Sequence, residues 1–259
     1  MNAMFGFVML ALTGLLAPDP AAVAAAKVPF PYAEWNALLQ RFVDGAGRVD
    51  YAALARDGRA AFERVFAAVA ASSPKKTPAA YPSKSARKAY YLDAYNVLVW
   101  KSVLARLPAL KNVAADQQSF FHDTRFSVGG VEMSLGDLEN KIVRPELADP
   151  RVHFALNCAS GGCPMLPREA FTPDHVEAQL AREAKKFCNE RRNVDFDAAS
   201  KRLRLSHIFD WYKDDFGGAP AKVIAWINQY RAAADQLPAD ARIEYVDYDW
   251  RLNDRSLKR

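Results

Sequence analysis

The stretch that decides the fold is 86–107, ARKAYYLDAYNVLVWKSVLARL. Apolar side chains, among them Tyr91, Tyr95 and Leu98, recur at the three- and four-residue spacing of one helical face. Pro108 follows, and proline cannot continue a helix because it lacks the backbone N–H. The pattern predicts one long helix at the centre of the core.

On both sides of this helix, the remaining sequence patterns predict shorter elements. Gly129-Gly130 suits a tight two-residue turn, and Ser134 with Asp137 is typical of a helix start. Helices are predicted at 31–42, 51–71, 134–145, 174–189, 208–216 and 221–233, and strands at 125–128, 131–133, 151–157, 194–196, 202–205 and 243–250. Helices mixed with hairpins, without βαβ alternation, indicate an α+β fold in which helices pack around a short, mostly antiparallel sheet. We expect one globular domain, 27–259.

Composition excludes several classes of protein. With 51% hydrophobic and 25% charged residues, the chain is typical of a globular domain and not of a disordered one. The net charge of +5 comes from basic residues that are scattered beside acids. We therefore expect no nucleic-acid partner.

Residues 1–26 have the layout of a cleavable signal peptide. An apolar run is broken by Pro18 and Pro20, and small residues precede Lys27. The run is too short for a bilayer span, which needs roughly 20 residues. We expect a periplasmic or secreted protein with no stable membrane span after cleavage.

His153, Cys158 and Cys163 form the densest group of reactive side chains. In an oxidising compartment the two cysteines suit a disulfide, worth roughly 2 kcal/mol through loop entropy. Alternatively, one cysteine is a nucleophile activated by an imidazole, or the pair has a thiol–disulfide redox role. The spacing does not suit zinc, so no metal and no cofactor are predicted.

The spacing leaves the identity of the nucleophile open. If 151–157 is a straight strand, the backbones at His153 and Cys158 lie about 16 Å apart. Cys163 approaches His153 if the glycines between the cysteines reverse the chain, whereas Cys158 needs a base such as His122 or His207. Glu139 is either a carboxylate that orients His153 or a surface charge. Cys188 is interpreted as a buried free thiol, with a bond to one of the other cysteines as the alternative.

Residues 207–216, HIFDWYKDDF, combine large rings with carboxylates. Trp211, Tyr212 and Asp215 either line a cleft that binds a ligand or pack on the core.

Five segments in order resemble one family, the uncharacterised family called domain of unknown function 547. They read YYLDAYN at 90–96, SLGDLE at 134–139, HFALNC at 153–158, CP at 163–164 and WYKDDF at 211–216. The resemblance covers about 88–216, and YDWRLN at 248–253 is similar to the end of bacterial members. It implies a shared core and a shared site but no reaction.

The chain departs from the family pattern in two motifs. The first motif usually reads Trp-Ile-Asn-x-Tyr-Asn in the family, and here Tyr91, Leu92 and Asp93 take its first three places while its last asparagine is kept as Asn96. A histidine that often follows the motif glutamate is replaced by Asn140. His153, Cys158 and Cys163 match the family.

The favoured function is therefore cysteine-dependent acyl transfer or hydrolysis on an amide or ester. Cys158 or Cys163 would be the nucleophile, His153 the base, and Asn157 or glycine-loop amides the oxyanion donors. The alternative is a non-catalytic envelope module that is stabilised by a Cys158–Cys163 disulfide. In that case an unknown small molecule or peptide binds at the aromatic and acidic residues of 207–216, and Asn96 is a further binding residue.

Overall fold

A computed structural model describes residues 29–257. The predicted signal peptide, 1–26, lies outside the described residues. Within them, no helix is both long enough and apolar enough to cross a membrane.

The predicted central helix spans Lys84–Arg106. The side chain of Ser83 accepts a hydrogen bond from the Ala86 amide and so caps its first turn. Almost every residue from Ala86 to Leu104 is buried. A helix that is buried on all sides belongs in the middle of a core, so the prediction from 86–107 is confirmed.

Helices Arg59–Ala71 and Val176–Asn189 contact the central helix, whereas Pro220–Asn228 packs in a second apolar cluster. Longer α-helices are Tyr32–Phe42, Arg59–Ala71, Val176–Asn189 and Pro220–Asn228, short α-helical turns are Tyr51–Ala53, Leu135–Leu138, Arg144–Leu147 and Ile208–Trp211, and π-helical segments are Leu54–Gly58, Ser119–Asp123 and Glu139–Val143. The 3-10 segments are Pro78–Ala80, Val113–Asp116, Pro150–Phe154, Lys213–Phe216 and Ala233–Asp235.

The helix predicted at 134–145 begins as expected but ends later. Ser134 and Asp137 form a reciprocal capping box. The helical path then changes to π-helical bonding at Glu139–Val143 and continues as Arg144–Leu147. Pro145 lies at the junction of these two segments, just after the Arg144 amide bonds to the Glu139 carbonyl.

Two small sheets complete the α+β fold. β1 (Phe126–Val128) and β2 (Val131–Met133) form the predicted antiparallel hairpin, and both turn glycines have positive φ. β3 (Val194–Asp197) pairs antiparallel with β4 (Arg202–Ser206), which pairs parallel with β5 (Arg242–Val246).

The last strand is shorter than predicted. β5 ends at Val246, whereas the alternating pattern extended to Trp250. Beyond β5 the chain turns to the cysteine loop, where the Gly162 amide donates to the Asp249 carbonyl and Ser160 forms a β-bridge with Leu252. This pairing uses the backbone that would otherwise have extended the sheet.

The prediction of a strand at 151–157 is wrong, because Pro150–Phe154 is a 3-10 helix. The Asp149 side chain accepts from the Arg151 amide, and the Val152 amide bonds to the Asp149 carbonyl. These local bonds leave no ladder for a neighbouring strand. The spacing of about 16 Å expected for a straight strand therefore does not apply to His153 and Cys158.

The buried apolar residues form two clusters. The larger surrounds the central helix and includes Leu156, while the smaller packs on β3–β5 and includes Phe154 and Ile208. Leu156 and Ile208 both line one cavity, which therefore lies where the two clusters meet.

Candidate functional site

The site is a cavity of about 350 Å³. Its wall includes the central helix, the Glu139 turn, the cysteine loop (158–164) and the chain after β5. Six aromatic side chains line it: Tyr95, Phe121, Trp211, Tyr212, Tyr248 and Trp250. A mostly apolar concave site with a few polar groups is the usual form of a small-molecule site.

The two cysteines of the loop are joined in a disulfide, and their Cα atoms lie 6.3 Å apart. Cys158 is half-buried and Cys163 is buried. The loop backbone is fixed by the C-terminal chain, since the Gly161 amide donates to the Arg251 carbonyl at 2.7 Å and the Gly162 amide to the Asp249 carbonyl at 2.8 Å. The bonded pair therefore forms a fixed part of the cavity wall.

Asn96 and Asn157 lie beneath this loop, outside the cavity lining, and both are buried. Asn96 donates to the Ala155 carbonyl and accepts from the Asn157 amide. The Asn157 side chain donates to the Pro164 carbonyl at 2.8 Å and accepts from Asn253 at 3.1 Å. The loop is therefore supported from the central helix through Asn96 and from the C-terminal chain through Asn253, with Asn157 between them.

His153 lines the cavity and is paired with Asp215, not with a cysteine. Its Nε2 lies 2.7 Å from Asp215 Oδ2, and no described residue hydrogen-bonds its Nδ1. Arg144 makes a two-point contact to the same carboxylate at 2.8 and 3.0 Å. Hydrogen bonds from His153 and Arg144 hold the pKa of Asp215 well below its usual range, although burial opposes this.

Glu139 is buried in the cavity wall, 8% exposed, and does not hydrogen-bond His153. Its carboxylate accepts from the Tyr95 hydroxyl at 3.1 Å and from the Tyr212 hydroxyl. Among residues 29–257, no basic side chain forms an ion pair with it. The carboxylate beside His153 is therefore that of Asp215, and not that of Glu139 as the sequence analysis considered.

Tyr212 connects Glu139 to the His153–Asp215 pair. Its hydroxyl donates to Glu139, while its ring stacks on the His153 imidazole with centroids 3.8 Å apart. Burial, and then the neighbouring Glu139 carboxylate, raise the pKa of Tyr212 well above its ordinary value. Tyr212 therefore remains a neutral hydrogen-bond donor at physiological pH.

The aromatic triad (Trp211, Tyr248 and Trp250) forms part of the cavity wall. Trp211 is 45% exposed, and its ring centroid lies 4.7 Å from Tyr248 and 5.6 Å from Trp250. The Tyr248 hydroxyl also donates to Cys163 Sγ at 3.3 Å. Sequence reasoning missed Tyr248 and Trp250 as site residues, although their two-residue spacing placed both side chains on one face.

His122 also lines the cavity, whereas His207 and the third cysteine lie outside its lining. His122 lies exposed at the cavity edge, and His207 stacks on Trp211 outside the cavity lining. Cys188 is free and buried, as predicted, and burial raises the pKa of its thiol to about 12, with Arg231 opposing. Within the described part of the chain, no group of three or more His, Cys, Asp or Glu side chains is arranged to hold a metal ion.

The fold and cavity define an α+β protein with an aromatic site beside a disulfide loop. Residues 80–188 match the family model described as "Protein of unknown function, DUF547", which confirms the family predicted from the motifs. This segment contains Glu139, His153 and both loop cysteines, whereas Asp215 and the aromatic triad lie beyond it. No curated protein and no solved structure gives a significant match to the chain.

Proposed function

We propose that the protein binds a small organic ligand in the aromatic cavity, with the Cys158–Cys163 disulfide as a fixed part of its wall. The observation that carries the proposal is the cavity itself, about 350 Å³ and lined by six aromatic rings beside the bonded sulfurs. Ligand pockets in proteins usually span about 300–1,000 Å³, so this cavity suits a compact molecule more than a peptide segment.

The hydrogen bonds of the loop favour binding over acyl transfer. The Asn157 side chain and the Gly161 and Gly162 amides, which were predicted as oxyanion donors, all donate to backbone carbonyls. Among the described residues, His153 makes no hydrogen bond to either sulfur. An acyl-transfer site needs a free nucleophile, a base within reach and free donors for the oxyanion.

Binding is tested with the oxidised protein and three benzyl probes of nearly equal shape. Benzyltrimethylammonium is the cation, neopentylbenzene the neutral isostere and phenylmethanesulfonate the anion. We expect at least one probe to change the tryptophan fluorescence saturably, and Trp211→Ala to weaken its binding about tenfold or more. Stacking of a planar ring on an aromatic side chain is worth about 1–3 kcal/mol, which corresponds to a loss of this size.

Tyr245→Ala is the matched control, because Tyr245 is an exposed aromatic residue, 36% exposed, that does not line the cavity. It should leave probe binding unchanged. If none of the three probes binds, or if Trp211→Ala and Tyr245→Ala behave alike, the proposed binding function is wrong.

One observation supports a second function, cysteine-dependent acyl transfer after reduction by a dithiol. His153, with Asp215 on its Nε2, lines the same cavity as both cysteines. The half-buried Cys158 would pass its proton to His153 and add to an ester or amide carbonyl; the C–O or C–N bond then breaks, and the leaving group takes that proton. Water would hydrolyse the thioester and regenerate the thiol.

This second function is tested by adding p-nitrophenyl acetate to the oxidised and the dithiol-reduced protein. Release of p-nitrophenol that appears only after reduction and is lost in both Cys158→Ser and His153→Ala would support it. Equal rates in reduced wild type and Cys158→Ser would exclude Cys158 as the nucleophile.

A site of action in the periplasm or outside the cell is part of the proposal. Disulfides persist in oxidising compartments and are rare in the cytosol, and the Cys158–Cys163 bond is consistent with the former. Alkaline phosphatase fused after residue 40 is active only outside the bacterial cytoplasm. An inactive fusion in a bacterial host would contradict export.

A further inference from the structure

We propose that the ligand of this cavity carries an ammonium cation, and that Glu139 and the aromatic triad recognise it. The inference rests on the proposed binding function and specifies its ligand class. It comes from a juxtaposition among the described residues: the buried Glu139 carboxylate has no basic ion-pair partner there, and the aromatic cavity wall contains no described lysine or arginine.

The carboxylate of Glu139 is the main charged group of the wall. It is 8% exposed, and its two described partners are the neutral hydroxyls of Tyr95 and Tyr212. A buried carboxylate is normally paired with a cation, because hydroxyl donors alone leave its charge uncompensated. Among residues 29–257, Arg144 interacts with Glu139 electrostatically, but no basic side chain forms an ion pair with it. A ligand that enters the cavity reaches the same wall.

Arg144, which interacts electrostatically with Glu139, is already engaged in hydrogen bonds to other side chains. Arg144 donates to both oxygens of Asp215 and to the Asn140 side chain, at 2.8–3.0 Å. Its guanidinium carbon lies 5.1 Å from the centre of the Tyr212 ring and outside the cavity lining. Arg144 and Asp215 therefore form a closed ion pair, and His153 shares the same carboxylate. The charge of Glu139 remains available to a ligand.

The rings of the aromatic triad favour the same ligand class. The negative face of an indole or phenol ring attracts a cation, and rings clustered around one space are the known arrangement for binding quaternary ammonium groups. Trp211, Tyr248 and Trp250 pack against one another with centroids 4.7–5.6 Å apart, and all three line the cavity. An ammonium group in the cavity would contact the ring surfaces that line it while Glu139 compensates its charge.

The volume limits the rest of the ligand. About 350 Å³ lies near the lower end of known ligand pockets. A small amine with one ring or a short chain fits this volume better than a polymer does. The inferred ligand is therefore a free small organic ammonium compound.

The test uses isothermal titration of the oxidised full chain with the three benzyl probes. We expect benzyltrimethylammonium to bind at least tenfold more tightly than neopentylbenzene, and phenylmethanesulfonate to bind most weakly. Glu139→Gln keeps the shape of the side chain and removes its charge. We expect this variant to lose the preference for the cation and to retain the binding of the neutral isostere.

Glu183→Gln is the matched control, because Glu183 is equally buried, 6% exposed, but pairs with Arg182 away from the cavity. It should keep the preference for the cation. If neopentylbenzene binds as tightly as the cation in wild type, or if Glu139→Gln keeps the tenfold difference, the ammonium inference is wrong while cavity binding stands. If no probe binds, both the inference and the proposed function fail.

Discussion

The His153 imidazole lies 2.7 Å from the Asp215 carboxylate, although the two residues are 62 positions apart in the chain. This contact joins the 3-10 helix Pro150–Phe154, which leads into the cysteine loop, to the 3-10 helix Lys213–Phe216, which follows Tyr212. Arg144 binds the same carboxylate from a third segment. Asp215 therefore holds three parts of the cavity wall together.

Replacing Asp215 by asparagine should destabilise the protein by about 1–2 kcal/mol at pH 7, because hydrogen bonds between charged groups are lost at a partly exposed position. The pKa of Asp215 is lowered in the folded state. Its contribution to stability is therefore present above the unfolded pKa, near 3.9, and is lost as the pH falls through the folded pKa.

Urea unfolding of wild type and Asp215→Asn between pH 3 and pH 7 measures this effect. The difference in the free energy of unfolding should be constant from pH 5 to 7 and shrink below about pH 4. A difference that is the same at pH 3 and pH 7 would mean that Asp215 acts through its shape and not through its charge.

Counting the accessible thiols with Ellman's reagent tests the cysteine assignment. Cys188 is buried and its thiol pKa is raised to about 12, while the other two cysteines are bonded. We expect no reactive thiol in the folded protein, one in urea, and three in urea after reduction. Cys188→Ala should remove the thiol that appears in urea alone. Rapid labelling of folded wild type would instead identify a free loop cysteine and favour acyl transfer.

Asp93 behaves as a carboxylic acid in the place of an amide. Its Oδ1 accepts from Trp35 Nε1 at 3.0 Å and from the Phe171 amide at 3.3 Å, while Oδ2 has no hydrogen-bond partner among the described residues. Burial raises the pKa of Asp93 well above its usual range, against the effect of these two hydrogen bonds. This position therefore favours the protonated carboxyl over the carboxylate, which makes Asp93 more similar to the asparagine that the family motif usually has there.

Asp93→Asn should accordingly stabilise the protein at neutral pH. The folded pKa is raised, so the stability of wild type is fully present below the unfolded pKa, near 3.9, and declines as the pH rises towards the folded pKa. Each unit of that rise costs wild type about 1.4 kcal/mol, and the amide avoids this cost.

The expected result in urea unfolding is near equality with wild type at pH 4 and a gain of more than about 1 kcal/mol at pH 8. Asp215→Asn serves as the comparison with the opposite pH trend, since its difference from wild type is largest at neutral pH and shrinks only below about pH 4. A stability gain for Asp93→Asn that does not grow with pH would contradict a protonated Asp93.

The helices and hairpins could be predicted because local signals specify them. The apolar spacing of 86–107, the Ser134–Asp137 cap and the Gly129-Gly130 turn each act within a few residues, and all three appear in the structure. The 3-10 helix at Pro150–Phe154 was misread, because alternating apolar residues outweighed the helix-starting signal of Asp149 and Pro150.

The site was only partly predictable, because its contacts are long-range. His153, Glu139 and the cysteines were identified from residue chemistry, and all of them line the cavity. The pairing of His153 with Asp215 depends on the tertiary fold, which no local pattern encodes. Tyr248 enters the site because the chain leaves the sheet at Val246 and returns to the cysteine loop.

Gly162 lies against Tyr248 and provides a test of the aromatic wall. A Cβ at Gly162 would lie 2.8–2.9 Å from three atoms of the Tyr248 ring, closer than carbon atoms approach in proteins. Gly162→Ala must therefore displace this ring, which also donates to Cys163 through its hydroxyl. We expect a loss of about 1–3 kcal/mol in stability, as is typical of an overpacked position.

The same substitution should weaken the binding of benzyltrimethylammonium about tenfold, because a displaced Tyr248 no longer presents its face to the cation. Gly45→Ala is the control, since a Cβ there meets nothing within 4 Å. In a Tyr248→Leu background the stability cost of Gly162→Ala should fall, because a smaller side chain leaves room for the added methyl group. An unchanged stability cost would mean that the clash is not with Tyr248. Unchanged cation binding in Gly162→Ala would mean that Tyr248 does not contact the cation, which would then be recognised by Trp211, Trp250 and Glu139.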